Sequence, residues 1–151
     1  MVSCLVGSEM CIRDRGVRCL FPTSFKRTIN TKINLDKFNT YAVGAAQQSG
    51  RLSIPNIDKL IDLKDRSNIM SSKTVLMFDE NLKGIHLSQA KVKPNSEILV
   101  VIGPEGGFKD EERAFISDRS KNFFNLSLGP NILKADTAVI AALSLTFHYF
   151  S

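Results

Sequence analysis

Two nearly uninterrupted apolar runs, Thr74–Phe78 (TVLMF) and Ile98–Ile102 (ILVVI), are the clearest features of the hydrophobic pattern. A run without polar alternation is typical of a strand that is buried on both faces of a parallel sheet. The pattern predicts a third strand at residues 124–128 and a short early strand at residues 17–21, which Pro22 closes. We therefore expect a sheet whose central strands are fully covered.

Helical spacing of apolar residues predicts three helices that separate or follow these strands. The first, Leu35–Ser49, begins after Asn34, whose side chain can cap it, and ends before Gly50. The second spans residues 110–121 and opens with three acids that complement the helix dipole. The third is Ala135–Phe150. Strands that alternate with helices indicate an α/β fold, with a mostly parallel sheet flanked by helices.

Three stretches carry no such pattern. Residues 55–63 are ambiguous between a connector and a short helix, and residues 81–95 are polar and basic, as expected for a loop. Residues 1–15 lack any period, and their four-residue apolar stretch is too short for a signal peptide. We expect them to be an assembly artefact that resembles sequencing-adapter read-through, or a disordered native tail. The domain then spans residues 16–151.

The C-terminal helix is apolar on nearly every face. Its apolar residues are Ala138, Val139, Ile140, Ala141, Ala142, Leu143, Leu145 and Phe147. A helix of this kind must be buried, either against its own sheet or against another subunit. At the edge of so small a domain we expect a homodimer interface, and simple packing over the sheet is the alternative.

Composition and charge narrow the class of protein. Of the 151 residues, 43% are hydrophobic and 23% charged, as in ordinary globular domains. The net charge of +5 favours a polyanionic partner. No apolar run approaches the length of about eighteen residues that a membrane span needs. Three cysteines near the amino terminus and two distant histidines predict neither disulfides nor a metal site, which fits a reducing cytoplasm.

Two predicted strands run into similar glycine loops, GPEGGF at residues 103–108 and LGPNIL at residues 128–133. Ligands of open α/β sheets bind beyond the carboxyl ends of the strands, and glycine lets the backbone approach them closely. Neither loop is a dinucleotide fingerprint or a phosphate loop, and either alone can be a plain turn. Together they predict a cofactor cleft formed by Ile102, Gly103, Pro104, Glu105, Gly106, Gly107, Leu128, Gly129, Asn131, Ile132 and Leu133.

The same loops, with their flanks, resemble a known family. VVIGPEGGFKDEE at residues 100–112 and LSLGPNILKADTAVIAAL at residues 126–143 are similar to the signature of the small-subunit ribosomal RNA (uracil-N(3))-methyltransferases, the RsmE family of the SPOUT class. AAQQSGRLSIP at residues 45–55 and GVRCLFP at residues 16–22 match that family less specifically.

The resemblance implies a SPOUT fold with a deep trefoil knot, a rare exception to unknotted chains. It implies S-adenosylmethionine (SAM) as methyl donor, no metal, ribosomal RNA as substrate, and a homodimer with active sites at the subunit interface. The family also carries a PUA-like RNA-binding domain ahead of the part that corresponds to this chain. We therefore expect this chain to be N-terminally truncated.

Methylation of a uridine imino nitrogen requires that the nitrogen lose its proton and that cations stabilise the negative charge on the flanking carbonyl oxygens. Asp136 is the candidate base or cation-orienting carboxylate, and a helix cap is its alternative role. Lys134 and Arg51 are the candidate cations, with a solvated surface charge as the alternative. Lys26 and Arg27 are expected to contact RNA phosphate, which positions the substrate without reading its sequence.

Departures from the family pattern concern these recognition residues. Asn131 and Lys134 stand where arginines are usual, and Asp136 and Gln47 stand where glutamates are common. Lysine keeps the charge of arginine but loses its bidentate fork. Two alternatives therefore stay open: methylation of another RNA position, such as a ribose hydroxyl, and a truncated RNA-binding fragment without catalytic activity.

Overall fold

The computed structural model describes residues 17–28, 34–49, 54–80, 83–93 and 96–150, apart from some side chains in the first and last helices. In chain order the elements are β1 (Cys19–Leu20), β2 (Thr23–Ser24), α1 (Leu35–Ser49), β3 (Asn56–Ile57), β4 (Ile61–Asp62), a 3-10 turn (Leu63–Arg66), α2 (Ser67–Ser72), β5 (Thr74–Phe78), a second 3-10 turn (Leu87–Gln89), β6 (Ile98–Ile102), α3 (Asp110–Arg119), β7 (Asn122–Leu126) and α4 (Ala135–Phe150).

A three-stranded parallel sheet forms the centre, with β5 between β6 and β7. Phe78, the last residue of β5, pairs with Ile102 and with Leu126, the last residues of the two outer strands. All three strands therefore end at the same edge of the sheet. Every strand pair that the structure describes is parallel, which confirms the predicted α/β class.

Alternate residues of the central strands enter two separate cores. One core lies against α4 and contains Leu76, Phe78, Val100, Ile102, Leu126, Val139, Ala142 and Leu143. The other lies against α2 and α3 and contains Met70, Val75, Met77, Leu99, Val101, Phe108 and Ile116. Each large side chain removed from water stabilises the fold by about 1.5–3 kcal/mol. The double burial explains why β5 and β6 are apolar at nearly every position.

The early part of the chain pairs with residues 56–62, where the sequence suggested only a connector or a short helix. β1 pairs with β3, and β2 pairs with β4, on either side of Pro22. The buried guanidinium of Arg66 donates to the carbonyl oxygens of Pro22 (3.0 Å) and Lys59 (2.7 Å) and forms an ion pair with Asp58. Two-residue strands carry no periodic signal, so this pairing was not predictable from local pattern.

Element bounds otherwise follow the sequence, with three corrections. The early strand β1 is limited to Cys19–Leu20 within the predicted residues 17–21, and α3 ends at Arg119 and not at residue 121. The bounds of β5, β6, α1 and α4 agree with prediction, and Asn34 caps α1 by accepting a hydrogen bond from the Lys37 amide (3.0 Å). The third central strand, however, is Asn122–Leu126 and not residues 124–128. Its pairing with β5 fixes this register, which leaves residues 127 and 128 in the loop.

One side of the C-terminal helix packs over its own sheet and another side is exposed, so the homodimer interface stays a prediction. Val139, Ala142 and Leu143 are buried over the sheet, whereas Leu145 (45% exposed) and Tyr149 (46% exposed) face away from the core. Of the helices that the structure describes, none has the length and apolar character needed to cross a membrane.

Candidate functional site

A cleft of about 590 Å³ opens where the three central strands end. Its walls come from the residues that follow β5, from both glycine loops and from the start of α4. The lining residues are Phe78, Asp79, Glu80, Ile102, Gly103, Pro104, Glu105, Gly107, Phe108, Leu128, Gly129, Asn131, Ile132, Leu133, Lys134 and Ala138. Every residue predicted to contact a cofactor lies in this wall except Gly106.

The first glycine loop is held tightly by its surroundings. The Gly107 amide donates to the Pro104 carbonyl (2.8 Å) and closes a turn. Gly107 has a φ of 68°, a conformation that side chains disfavour. Phe108 is buried, with its ring edge-on to Phe25 at 5.3 Å between centroids. A Cβ on Gly103 would lie 2.9 Å from this ring, so the loop requires glycine there as well.

Gly106 points away from the cleft, toward the loop that holds Lys26 and Arg27. An Arg27 guanidinium nitrogen donates to the Gly106 carbonyl (2.7 Å), and Lys26 forms an ion pair with Glu111 in the first turn of α3. The hydrogen bond to Glu111 raises the pKa of Lys26. Both predicted RNA-binding residues are exposed, yet Arg27 also braces the first glycine loop from outside and Lys26 pairs with the start of α3.

The second glycine loop is more open. Gly129 has a φ of 121°, which favours glycine, and its amide donates to the Ser127 hydroxyl (3.2 Å). Asn131 is exposed, and Ile132 is 67% exposed at the rim of the cleft. The Lys134 carbonyl accepts from the Ala138 amide (2.8 Å), which anchors the end of the loop to α4.

Of the three predicted catalytic residues, the structure places Lys134 in the cleft wall. Arg51 lies outside the described residues. The backbone of Asp136 belongs to the first turn of α4, but its side chain is outside the described part of the chain. The roles of Arg51 and Asp136 therefore stay predictions.

Asp79 and Glu80, which follow β5, also line the cleft and were not among the residues predicted from the sequence. The fully buried Asp79 carboxylate accepts from Nε (2.5 Å) and Nη2 (3.1 Å) of Arg113 on α3. This hydrogen bond raises the pKa of Arg113. The signal was present, because two acids directly follow an apolar strand that ends at the same sheet edge as the glycine loops.

The parallel sheet and the cleft beyond its strand ends define an α/β protein with a candidate cofactor site at that edge. The chain belongs to the RNA methyltransferase domain family, whose model matches residues 11–146. The membership predicted from the glycine motifs is thereby confirmed.

Curated relatives are similar to most of this chain. It is 34% identical over 133 residues to the ribosomal RNA small subunit methyltransferase E of Rickettsia conorii, covering 85% of this chain and 53% of that protein. The enzyme of that name from Bacillus subtilis is 28% identical over 144 residues, which cover 87% of this chain and 56% of that protein. The chain thus spans about half the length of the curated relatives it matches.

Solved structures share the fold. A putative methyltransferase from Legionella pneumophila, in complex with SAM, is 27% identical with a TM-score of 0.79, covering 99% of this chain and 63% of that one. The ribosomal RNA small subunit methyltransferase E of Neisseria gonorrhoeae, bound to SAM, has a TM-score of 0.85 over 95% of this chain and 60% of that one. At 24% identity, the second likeness shows the fold alone.

Proposed function

We propose that residues 16–151 form the catalytic domain of a SAM-dependent methyltransferase that modifies the imino nitrogen of a uridine in small-subunit ribosomal RNA, in the cytoplasm. The observation that carries the proposal is the cleft between the two glycine loops at the carboxyl edge of the parallel sheet. The SAM-bound Legionella protein, similar over nearly the whole chain, supports the choice of cofactor. The trefoil knot stays a prediction.

The residues of the cleft fit a nucleoside cofactor. A Cβ on Gly103 would clash with the Phe108 ring and one on Gly107 with Glu80, so the two glycines let the first loop pack tightly with its backbone in the cleft wall. Ile102, Leu128 and Leu133 supply apolar walls for a flat base. Backbone amides and carbonyls of both loops would hold the base edge, and the bound sulfonium would supply an activated methyl group.

The remaining chemistry falls to side chains of this chain. The uracil nitrogen must be deprotonated and aligned with the methyl group. Lys134, at the rim of the cleft, would stabilise the negative charge that then develops on the uracil carbonyl oxygens. Arg51 would provide a second cation, and Asp136 would accept the proton or orient one of the cations. Lys26 and Arg27 are exposed on the surface, so they would also contact RNA phosphates.

Two measurements test the proposal. Calorimetry should detect SAM binding to the folded chain, and nucleoside mass spectrometry should detect N3-methyluridine in small-subunit RNA treated with the chain and SAM. Lys134→Met should bind SAM normally and lose most methylation. SAM binding without N3-methyluridine, but with another methylated nucleoside, would overturn the uridine assignment. If the folded chain binds no SAM, the result would support the alternative that the chain is an RNA-binding fragment without catalytic activity.

We also propose a homodimer formed through α4. Leu145, Tyr149 and Phe150 leave a contiguous apolar surface at the end of this helix, and such surfaces on soluble domains mark interaction sites. A twofold interface would cover the same surface on both copies. Leu145→Glu should shift the mass in sedimentation from dimer to monomer. Val43→Glu, at an exposed apolar position of α1, is the matched control, and a monomeric wild type would refute the interface.

A further inference from the structure

Glu80 is a carboxylate of the cleft wall that the residues described here leave without a partner. Asp79 beside it is bound by Arg113, and Glu112 accepts from the amides of Lys26 (2.7 Å) and Lys109 (2.8 Å). By contrast, no hydrogen bond or ion pair from a described residue reaches Glu80, although its side chain is half-buried. A half-buried acceptor without a partner loses solvation that a ligand can replace.

The position of this carboxylate is fixed by the first glycine loop. A Cβ on Gly107 would lie 1.7 Å from Oε1 of Glu80, so the carboxylate occupies space that only a glycine leaves free. The φ of 68° at Gly107 favours glycine for an independent reason. The strand end of β5 and the turn of the glycine loop thus meet in the cleft wall, where Oε1 of Glu80 lies against Gly107.

We propose that Glu80 binds the two vicinal ribose hydroxyls of the nucleoside cofactor, an inference that rests on the proposed function. Two adjacent O–H donors match the two oxygens of a carboxylate, and bonds to a charged acceptor are the strong ones. In dinucleotide-binding α/β sheets an acidic residue about 20 residues beyond the glycine loop binds the ribose 2′-hydroxyl. If the loop backbones hold the base, the ribose attached to it lies beside them, where Glu80 is found.

Calorimetry with S-adenosylhomocysteine, which has the same ribose but no sulfonium, tests this role without requiring activity. Glu80→Gln should weaken binding about 10- to 100-fold, because one hydrogen bond to a charged group is lost or weakened. Glu97→Gln is the matched control, since Glu97 is exposed and pairs with Lys73 at the opposite edge of the sheet. Its affinity should stay within about twofold of wild type. Thermal unfolding checks that both variants fold.

A second ligand separates the hydroxyls from other groups of the cofactor. Wild type should bind the 2′,3′-dideoxy analogue much more weakly than S-adenosylhomocysteine. Glu80→Gln should bind the two compounds with nearly equal affinity. Equal discrimination by both proteins would overturn the ribose role, even if Glu80→Gln weakens both ligands, because the carboxylate would then act on another group. Wild-type affinity in Glu80→Gln would also overturn it and leave the proposed function intact. If the folded wild type binds no S-adenosylhomocysteine, both proposals fail.

Discussion

The two glycine loops resemble each other in sequence but differ in how the fold holds them. The first is fixed from three sides: Phe108 anchors it in the core, Arg27 holds the Gly106 carbonyl from outside, and Glu80 lies against Gly107. The second carries exposed residues at its centre, and space is open around Gly129. A well-supported loop holds a ligand in a fixed geometry, whereas the exposed side chains of the second loop are accessible to a second ligand. We infer that the first loop serves the cofactor and the second serves both cofactor and substrate.

The largest difference in stability is expected between truncating the buried Phe108 of the first loop and truncating the exposed Ile132 of the second. Phe108→Ala should lower the free energy of unfolding by about 3–5 kcal/mol, because it leaves a cavity beneath the first loop. Ile132→Ala, in the second loop, should change it by less than about 0.5 kcal/mol. Urea denaturation measures both. Similar losses in the two variants would mean that the loops are held alike.

A smaller effect is expected at the root of the second loop. A Cβ on Gly84 would lie 2.3 Å from the backbone carbon of Leu126, and backbone cannot swing aside as a side chain can. Gly84→Ala should therefore destabilise the protein by about 1–3 kcal/mol. The control is Gly44→Ala, in an exposed helix position with no neighbour within 4 Å, which should stabilise by about 0.5–1 kcal/mol. A neutral Gly84→Ala would show that the second loop has no rigid base.

The brace on the first loop should have a local effect. Arg27→Ala removes the hydrogen bond to the Gly106 carbonyl, which contributes about 1 kcal/mol. We expect faster amide hydrogen exchange at Gly106 and Gly107, with global stability nearly unchanged, and no such change in Lys91→Ala. If hydrogen exchange at Gly106 and Gly107 is unchanged in Arg27→Ala, Arg27 does not brace the loop, and RNA contact is its remaining proposed role.

The smallest effect concerns pH. The hydrogen bond from Lys26 lowers the pKa of Glu111, so this pair stabilises the folded state above the ordinary glutamate pKa of about 4.3. That contribution is lost as pH falls through the lower folded-state value. The urea midpoints of wild type and Glu111→Gln should therefore differ slightly at pH 7 and converge in acid. Added salt should reduce the difference at pH 7. A gap that widens in acid would contradict the ion pair.

Sequence pattern predicted the parts of the fold that are set locally. The strands β5 and β6 are apolar at nearly every position because both of their faces are covered, and this pattern can be read from the sequence without knowing which strands are neighbours. The end of β7 was placed two residues late because its register depends on pairing with β5. The β1–β3 and β2–β4 pairs join two-residue strands far apart in sequence, and the burial of Arg66 depends on that pairing.

The candidate site shows the same division. Glycine spacing pointed to most of the cleft wall, because positive φ and close backbone approach require glycine locally. The sequence shows two acids after β5, but it does not show that Glu80 lies against the turn at Gly107, because that contact depends on how the end of β5 meets the glycine loop. The partial exposure of α4 could not be predicted either, because the composition of an apolar helix does not show which of its sides packs on the sheet.

The contact between Gly84 and Leu126 has a consequence for the order in which the protein folds. Ile85 pairs with Leu126 in an isolated parallel bridge, and the chain between them contains β6 and α3. Joining residues so far apart encloses a long loop, and the entropy lost in closing it delays such contacts relative to local ones. We expect β5 and β6 to pair first, because the shortest stretch of chain separates them, and β7 to join later together with the rim of the cleft beside it, so that the ligand site is completed only on an almost finished fold.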